Sequence, residues 1–196
     1  MRRISCSPIP PIIASLFFLT SCAGNLAPTQ FIDPDFDFEF VERVAVYPFE
    51  NQSNDREAGT RSTRLFMTEL LATGAVGVVE TGEVLAAVSQ IPRLQAPKVT
   101  RPSRAEIIAL GEQLNVQALV LGTVTQSETL RSGQVGIPVV TIDAHLVETE
   151  TGTSVWAGTH TEKGGGLGKK ILGTGTEPIS ETTRRCIRRL ISSLIE

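Results

Sequence analysis

Ala118-Leu119-Val120-Leu121-Gly122-Thr123-Val124 is the stretch whose reading decides the fold. It is the most apolar strand candidate in the chain, apolar on both of its alternating faces, and such a strand belongs near the centre of a sheet. Immediately upstream, Ser103-Arg104-Ala105-Glu106 fits a capping box, in which Ser and Glu satisfy each other's orphan backbone donors. Ile107, Leu110 and Leu114 then define the buried face of the helix that follows. Further back, Val44-Ala45-Val46-Tyr47 is a compact β-run ended by Pro48, and Asn51, Ser53, Asn54 and Asp55 form a polar loop. From Arg56 the spacing turns helical through Leu65, Phe66, Leu70 and Leu71, with Gly74 as its stop. Val76 to Glu80 reads as a second strand, Glu83 to Gln90 as a short helix, and Pro92, Pro97 and Pro102 punctuate the link to the capping box.

Downstream of the central run, Gln126 to Gly136 reads as a polar loop. Val140, Ile142, Ala144 and Leu146 then alternate with Thr141, Asp143, His145 and Val147, giving one buried and one mostly wet face. Glu150-Thr151-Gly152 makes a turn, and Ser154 to Thr161 returns as the second arm of a hairpin. Residues 164–175 are Gly-rich and read as a flexible loop. The last helix carries Ile187, Leu190, Ile191, Leu194 and Ile195 on one stripe, with Arg184, Arg185, Arg188 and Arg189 opposite. Strand–helix alternation followed by a hairpin and a helix predicts an α/β fold: a single domain with a mixed β-sheet flanked by helices.

The N-terminus carries a separate message. Arg2 and Arg3 precede the apolar run Ile12-Ile13-Ala14-Ser15-Leu16-Phe17-Phe18-Leu19, the layout of a secretory signal. That run is shorter than the ~20 apolar residues a membrane span needs. It ends on Leu19-Thr20-Ser21-Cys22, which resembles the lipobox of bacterial lipoproteins. The resemblance implies diacylation of the Cys22 thiol, with palmitate-type chains, cleavage before it and acylation of the new amino group. Residues 1–21 are then a signal peptide and Cys22 a lipidation site. Residues 22–40 are the lipidated cysteine and its tether, residues 23–34 being without periodicity, and residues 41–196 are a periplasmic α/β domain. Ala23-Gly24 after the cysteine, with no Asp, points to the outer membrane, periplasmic face.

Removing residues 1–21 leaves 175 residues with 16 bases against 21 acids, net −5. An acidic balance gives no general pull on nucleic acid, so a nucleic-acid partner is not expected. Cys186 is the one cysteine left beside Cys22 and Cys6, so the domain has no internal disulfide to draw on. Charge is uneven: eight acids against Arg43 and Arg56 in residues 33–57, and seven bases against Glu177, Glu181 and Glu196 in residues 163–196. These ends are either two solvated faces or a complementary pair. Phe36, Phe38 and Phe40 alternate with Asp35, Asp37 and Glu39, an extended pattern that covers the domain's own core or offers a patch to a partner.

Several of these segments, in order and spacing, resemble the curli assembly/transport lipoproteins (the CsgG family). The likeness rests on Val44-Ala45-Val46-Tyr47-Pro48-Phe49-Glu50-Asn51-Gln52-Ser53, on Val78-Val79-Glu80, and on Asn115 through Val124. Leu146-Val147-Glu148-Thr149-Glu150-Thr151-Gly152 and Val155-Trp156 complete it. Smaller relatives with a similar domain include lipoproteins that activate penicillin-binding proteins and the N-terminal domain of a Tol-system protein. The resemblance implies a periplasmic binding module and not an enzyme. Channel-forming members carry two long hairpins, at places matching Gln126–Pro138 and Lys163–Glu177 here. Membrane strands need about 9–11 alternating residues each, and neither segment supplies them, which argues against a pore.

No residue pattern specifies catalysis. The Gly-rich loop fails as a Walker loop, with Lys163 where the first Gly belongs and Lys170 where Ser or Thr belongs. His145 and His160, near Asp143 on the two hairpin arms, are the one pair able to hold a metal or perform acid–base work, against the alternative that they are strand-surface residues without such a role. No cofactor, catalytic residue or metal site is expected. The expectation is a lipid-anchored binding module accessory to envelope assembly, secretion or cell-wall machinery, with an envelope protein as partner. The alternatives are a ring-forming homo-oligomer of the curli-transport type and, third, a metal-dependent or hydrolytic enzyme using His145 and His160. The loops 51–57, 126–137 and 164–177 are the candidate binding surfaces, since loops on a rigid scaffold carry binding. The basic last helix packs on the sheet with its Arg face in solvent, or it meets anionic lipid or a polyanion.

Overall fold

The structure, a computed structural model, describes residues 27–96, 98–132, 135–165 and 177–195. The signal segment, Cys22 and the Gly-rich run 166–176 lie outside them. Seven strands form one mixed sheet: β1 (Thr29–Ile32), β2 (Arg43–Val46), β3 (Glu50–Asn51), β4 (Gly77–Val78), β5 (Ala118–Ser132), β6 (Val135–Glu148) and β7 (Ser154–Lys163). Their order is β1-β7-β6-β5-β2-β4, with β3 also pairing β5, so the apolar run 118–124 does lie in the interior of the sheet. β5 pairs parallel with β2, and β5, β6, β7 and β1 run antiparallel to one another.

Among the described residues four α-helices cover the sheet: α1 (Ala58–Thr73), α2 (Thr81–Val88), α3 (Arg104–Leu114) and α4 (Ile179–Ile195). Alternation along the strands sorts side chains between two cores. Val44, Val46, Val120, Val124, Ile142 and Leu146 pack with Phe66 and Leu70 of α1 and Ile187 and Leu190 of α4. Ala45, Tyr47, Leu119 and Leu121 pack with Val84 of α2 and Ile107, Leu110 and Leu114 of α3. β5 is thus buried on both faces, as its sequence requires.

Local signals act where expected. Gly74 ends α1 in a left-handed conformation (φ 65°). Ser103 accepts from the Glu106 N–H while the Glu106 carboxylate accepts from the Ser103 N–H at 2.6 Å. Two apolar segments far apart in sequence, Val44–Ser53 and Leu119–Val124, meet physically: the Phe49 ring lies directly over Gly122, where a Cβ would come within 2.3 Å of it. The strand needs glycine there because the aromatic ring occupies the side-chain position.

Three expectations change. The polar stretch 126–136 is not a free loop: β5 and β6 stay paired from Gln126↔Thr141 to Ser132↔Val135, past a register shift after Val124. Continuous cross-strand pairing outweighs the low hydrophobicity of the segment. The tether expected over 23–34 contains β1, which pairs Thr29↔Thr159 through Ile32↔Trp156. The Phe36–Phe40 stretch is not extended at its end: Asp37 caps a 3₁₀ turn over Phe38–Phe40, its carboxylate accepting from the Glu39 N–H at 3.0 Å. Phe36 and Phe38 stack edge to face, 4.9 Å apart, against the α1/α4 core, while Phe40 turns out and is 53% exposed.

Candidate functional site

Two of the expected loops form one polar cluster at the end of the sheet where β5 leaves the core. Asn51 donates through Nδ2 to the Asp55 carbonyl at 2.7 Å, and Ser53 donates to Asn51 Oδ1 at 2.7 Å, which shapes the loop after β3. The Asp55 carboxylate accepts from Ser127 Oγ at 3.0 Å and pairs with Arg61 of α1, which also donates to Ser127 Oγ at 3.0 Å. Partial burial raises the Asp55 carboxyl, but the Arg61 and Ser127 hydrogen bonds outweigh it and hold the group below its ordinary range. Ser127, read from sequence as part of a loop, is a buried strand residue tying that loop to the hairpin. The third expected loop starts and ends nearby: the Gly164 N–H donates to the Pro138 carbonyl at 2.7 Å, and its residues 166–176 are outside the described residues.

The arginines of α4 have fixed partners. Arg184 and Arg188 both reach Glu69 of α1, the latter at 2.7 Å. Arg185 pairs with Glu162 of β7 at 3.1 Å and with Glu177, and Arg189 lies 3.6 Å from Glu162. Burial raises the Glu177 carboxyl, and its hydrogen bond and charge contact with Arg185 more than reverse this. Of the two readings of the charged ends, pairing of residues 33–57 with 163–196 within the chain is not seen among the described residues. The basic helix is neutralised by Glu69, Glu162, Glu177 and Glu181, so its arginines brace α4 against α1 and β7.

His145 and His160 do not come together. The register places His145 opposite Ala157 and His160 opposite Ile142, an odd offset that sends the two rings to opposite faces of the sheet. His160 is buried beside α4, its Nε2 3.1 Å from Glu162. His145 faces the other way, 3.3 Å from Ser154 Oγ. Burial, then the Arg101 charge, pushes its ring below the ordinary histidine range against the opposing Asp143 carboxylate. Among the described residues no cluster of His, Cys, Asp and Glu has metal-binding geometry. Cys186 is fully buried, and desolvation first, then Glu162, pushes its thiol up to about 12, so it is no nucleophile.

The strongest feature is a surface the sequence did not single out. Among the described residues, α2 and α3 cover β2 and β5, and the second core they form takes only Val147 from β6 and nothing from β7 or β1. The corresponding face of β6 and β7 carries Thr141, Asp143, His145, Ala157, Thr159 and Thr161. These polar groups hold one another: Thr159 donates to Asp143 at 2.6 Å, and the Thr141 and Thr161 hydroxyls are 3.0 Å apart. The sheet then ends in β1, whose four residues are all exposed, with Phe31 at 51% and Ile32 at 43%. Thr29, Phe31 and Ile32 are β-forming residues, but a four-residue strand between Pro28 and Pro34 is too short to stand out in a sequence. On the opposite face an apolar cavity of about 320 Å³ opens between α1, α4 and the Phe38 turn, lined by Val41, Leu70, Val76 and Leu194 among others. No described helix is long and apolar enough to cross a membrane.

No protein-family model and no curated protein sequence matches the chain. Solved structures do share its fold. A PelC dodecamer from Paraburkholderia phytofirmans superposes with a TM-score of 0.57 at 20% identity, over 85% of this chain and 97% of that one. Lipoprotein GNA1162 from Neisseria meningitidis gives 0.52 at 16% identity, over 79% and 95%. The solution structure of LpoB from Escherichia coli gives 0.51 at 13%, over 82% of each chain. At these identities the likeness is one of fold: a single mixed α/β sheet domain.

Proposed function

We propose that this chain is a lipoprotein of the bacterial envelope, anchored through acylated Cys22 at the periplasmic face of the outer membrane. Its α/β domain is a binding module accessory to envelope assembly, secretion or cell-wall machinery. It performs no catalytic step and works by positioning: the lipid fixes the compartment, and the sheet presents a surface to a protein partner. The observation that carries the reading is the half of the sheet, from Thr141 and His145 across to β1, whose face no described helix covers, beside a helix-covered half built as a normal core. The lipobox-like Leu19-Thr20-Ser21-Cys22 supports the anchor. So does the appearance of the same fold in a Neisseria protein described as a lipoprotein.

A second reading, the ring, is favoured by two observations: the PelC protein of similar fold is a dodecamer, and here the terminal strand β1 is exposed. In that reading neighbouring copies join edge to edge and the module builds a scaffold of itself. Light scattering on the acylated chain in mild detergent separates the two. A small species that captures an envelope protein on crosslinking supports the accessory module, and a discrete high-order species supports the ring. A chain found entirely in the soluble cell fraction, with no lipid, overturns both.

A further inference from the structure

β1 has the properties of an interface for a second copy of this chain. The Asp33 N–H donates to the Val155 carbonyl at 2.9 Å, which fixes the phase of the β1–β7 ladder. Thr29 and Phe31 turn their backbone groups toward β7, so Gln30 and Ile32 present theirs outward. Protected edges carry charge, a bulge or a proline within the strand. Thr29-Gln30-Phe31-Ile32 has none of these, and it exposes two large apolar side chains. The outward row is bracketed instead: the next positions of that row, 28 and 34, are both proline and have no N–H to give.

From this we infer that two copies pair through β1 in an antiparallel, two-fold arrangement, with Phe31 opposite Phe31 of the second copy. The bracket selects that register. Pairing Gln30 with Ile32 of the other copy, and the reverse, uses every outward N–H and C=O of both strands, four hydrogen bonds in all. Centring the pair on Gln30 sets Ile32 against Pro28, and centring it on Ile32 sets Gln30 against Pro34, each losing donors. In the selected register Phe31 meets its copy at a non-hydrogen-bonded position, where side chains are closest. Both rings lie on the face of Ala157 and His145, on the half of the sheet whose face no described helix covers. Ile32 lies on the other face with Trp156. The contact is isologous and uses up the β1 edge of both copies, so it joins two copies and does not propagate. A four-residue edge with two apolar side chains is far below a standard interface, which makes the pair weak in solution. Tethering both copies to one membrane raises their effective concentration, and this last part rests on the anchoring reading above.

Single-cysteine crosslinking of the acylated chain in its own envelope tests the register. At a non-hydrogen-bonded antiparallel position the Cα atoms are ~4.5 Å apart. That distance lies inside the disulfide window of about 4.4–6.8 Å. Phe31→Cys is expected to form a covalent dimer under mild oxidation, and Gln30→Cys at least tenfold less. Adding Ile32→Pro to Phe31→Cys, which removes an outward N–H, is expected to abolish the dimer. Repeating Phe31→Cys in concentrated solution on the chain from residue 23 onward, which lacks the signal segment, Cys6 and Cys22, separates the two ideas: a dimer there supports the edge even if anchoring fails. Absence of a Phe31→Cys dimer in both settings, with the variant folded by circular dichroism, overturns the edge. Equal crosslinking at positions 30 and 31 overturns the register.

Discussion

Gly122→Ala is the substitution that most sharply tests how the two halves of the central sheet fit. A Cβ at 122 would lie 2.3 Å from Phe49 Cε2 and 2.5 Å from Cδ2 and Cζ. Carbon atoms settle about 3.5–4.0 Å apart, so the ring must retreat by about 1 Å. It has nowhere to go. Phe49 is 2% exposed, its ring packs against Phe66 at 5.5 Å, and its N–H donates to Thr63 Oγ1 at 2.9 Å. Overpacking of this kind costs about 1–3 kcal/mol, and three aromatic atoms are struck at once, so the upper figure applies. Replacing a strand glycine recovers about 0.5–1 kcal/mol of chain entropy. The net loss is about 2 kcal/mol, or about 4–8 °C in Tm for a domain of this size. Urea unfolding of the wild type, Gly122→Ala, Phe49→Leu and the double variant measures it. Phe49→Leu removes the obstructing ring atoms, so adding Gly122→Ala to it is expected to cost under about 0.5 kcal/mol, a coupling of about 1.5 kcal/mol. A Gly122→Ala single variant within about 0.5 kcal/mol of wild type would refute the packing argument.

Arg185→Met takes the shared guanidinium from Glu162 and Glu177, and because Arg185 is itself 34% exposed the expected loss is about 2–3 kcal/mol in urea unfolding, below the figure for a fully buried pair. The Asp55 and Glu177 carboxyls titrate lower in the fold than in the unfolded chain, so they add stability above the ordinary carboxylate range and lose it as pH falls from that range through their depressed folded values. The acid limb of a stability–pH profile is therefore expected to be shallower in Arg185→Met than in the wild type. The Glu106 carboxyl, held to about 2 first by Arg93 and then by the Ser103 cap against a partial desolvation cost, is expected to stay ionised in an NMR titration to pH 3. Cys186, with its thiol near 12 and no exposure, is expected to resist iodoacetamide at pH 8 in the native protein and to react promptly in urea.

The interior of this fold is legible in the sequence because its signals are strong and local. The double-faced apolar run at 118–124, the Ser103–Glu106 capping box and the Gly74 stop each specify one structure, and the helices and central strand follow. The periphery is less legible. β1 is four residues long and gains its order from β7, a partner more than a hundred positions away, so no local pattern announces it. The hairpin beyond Gln126 is polar, and polarity reads as loop until the matching strand is known. Asp37 capping a 3₁₀ turn overrode the Phe alternation, a competition between a cap and a period-two pattern that sequence leaves open. For the site, the approach of loop 51–57 to the β5–β6 hairpin through Asp55 and Ser127 depends on topology, as does the separation of the two histidines. The Arg stripe of α4 was visible, but not its acidic partners, which come from α1, β7 and the segment before the helix.

Whether this domain works on a lipid anchor is decided by mass spectrometry of the mature N-terminal peptide from the envelope fraction. The expected chain begins at Cys22 and carries acyl groups on the thiol and the amine, with Cys22→Ser leaving an uncleaved, unacylated chain. A mature chain that starts elsewhere, or one that starts at Cys22 with a free thiol, contradicts the anchor.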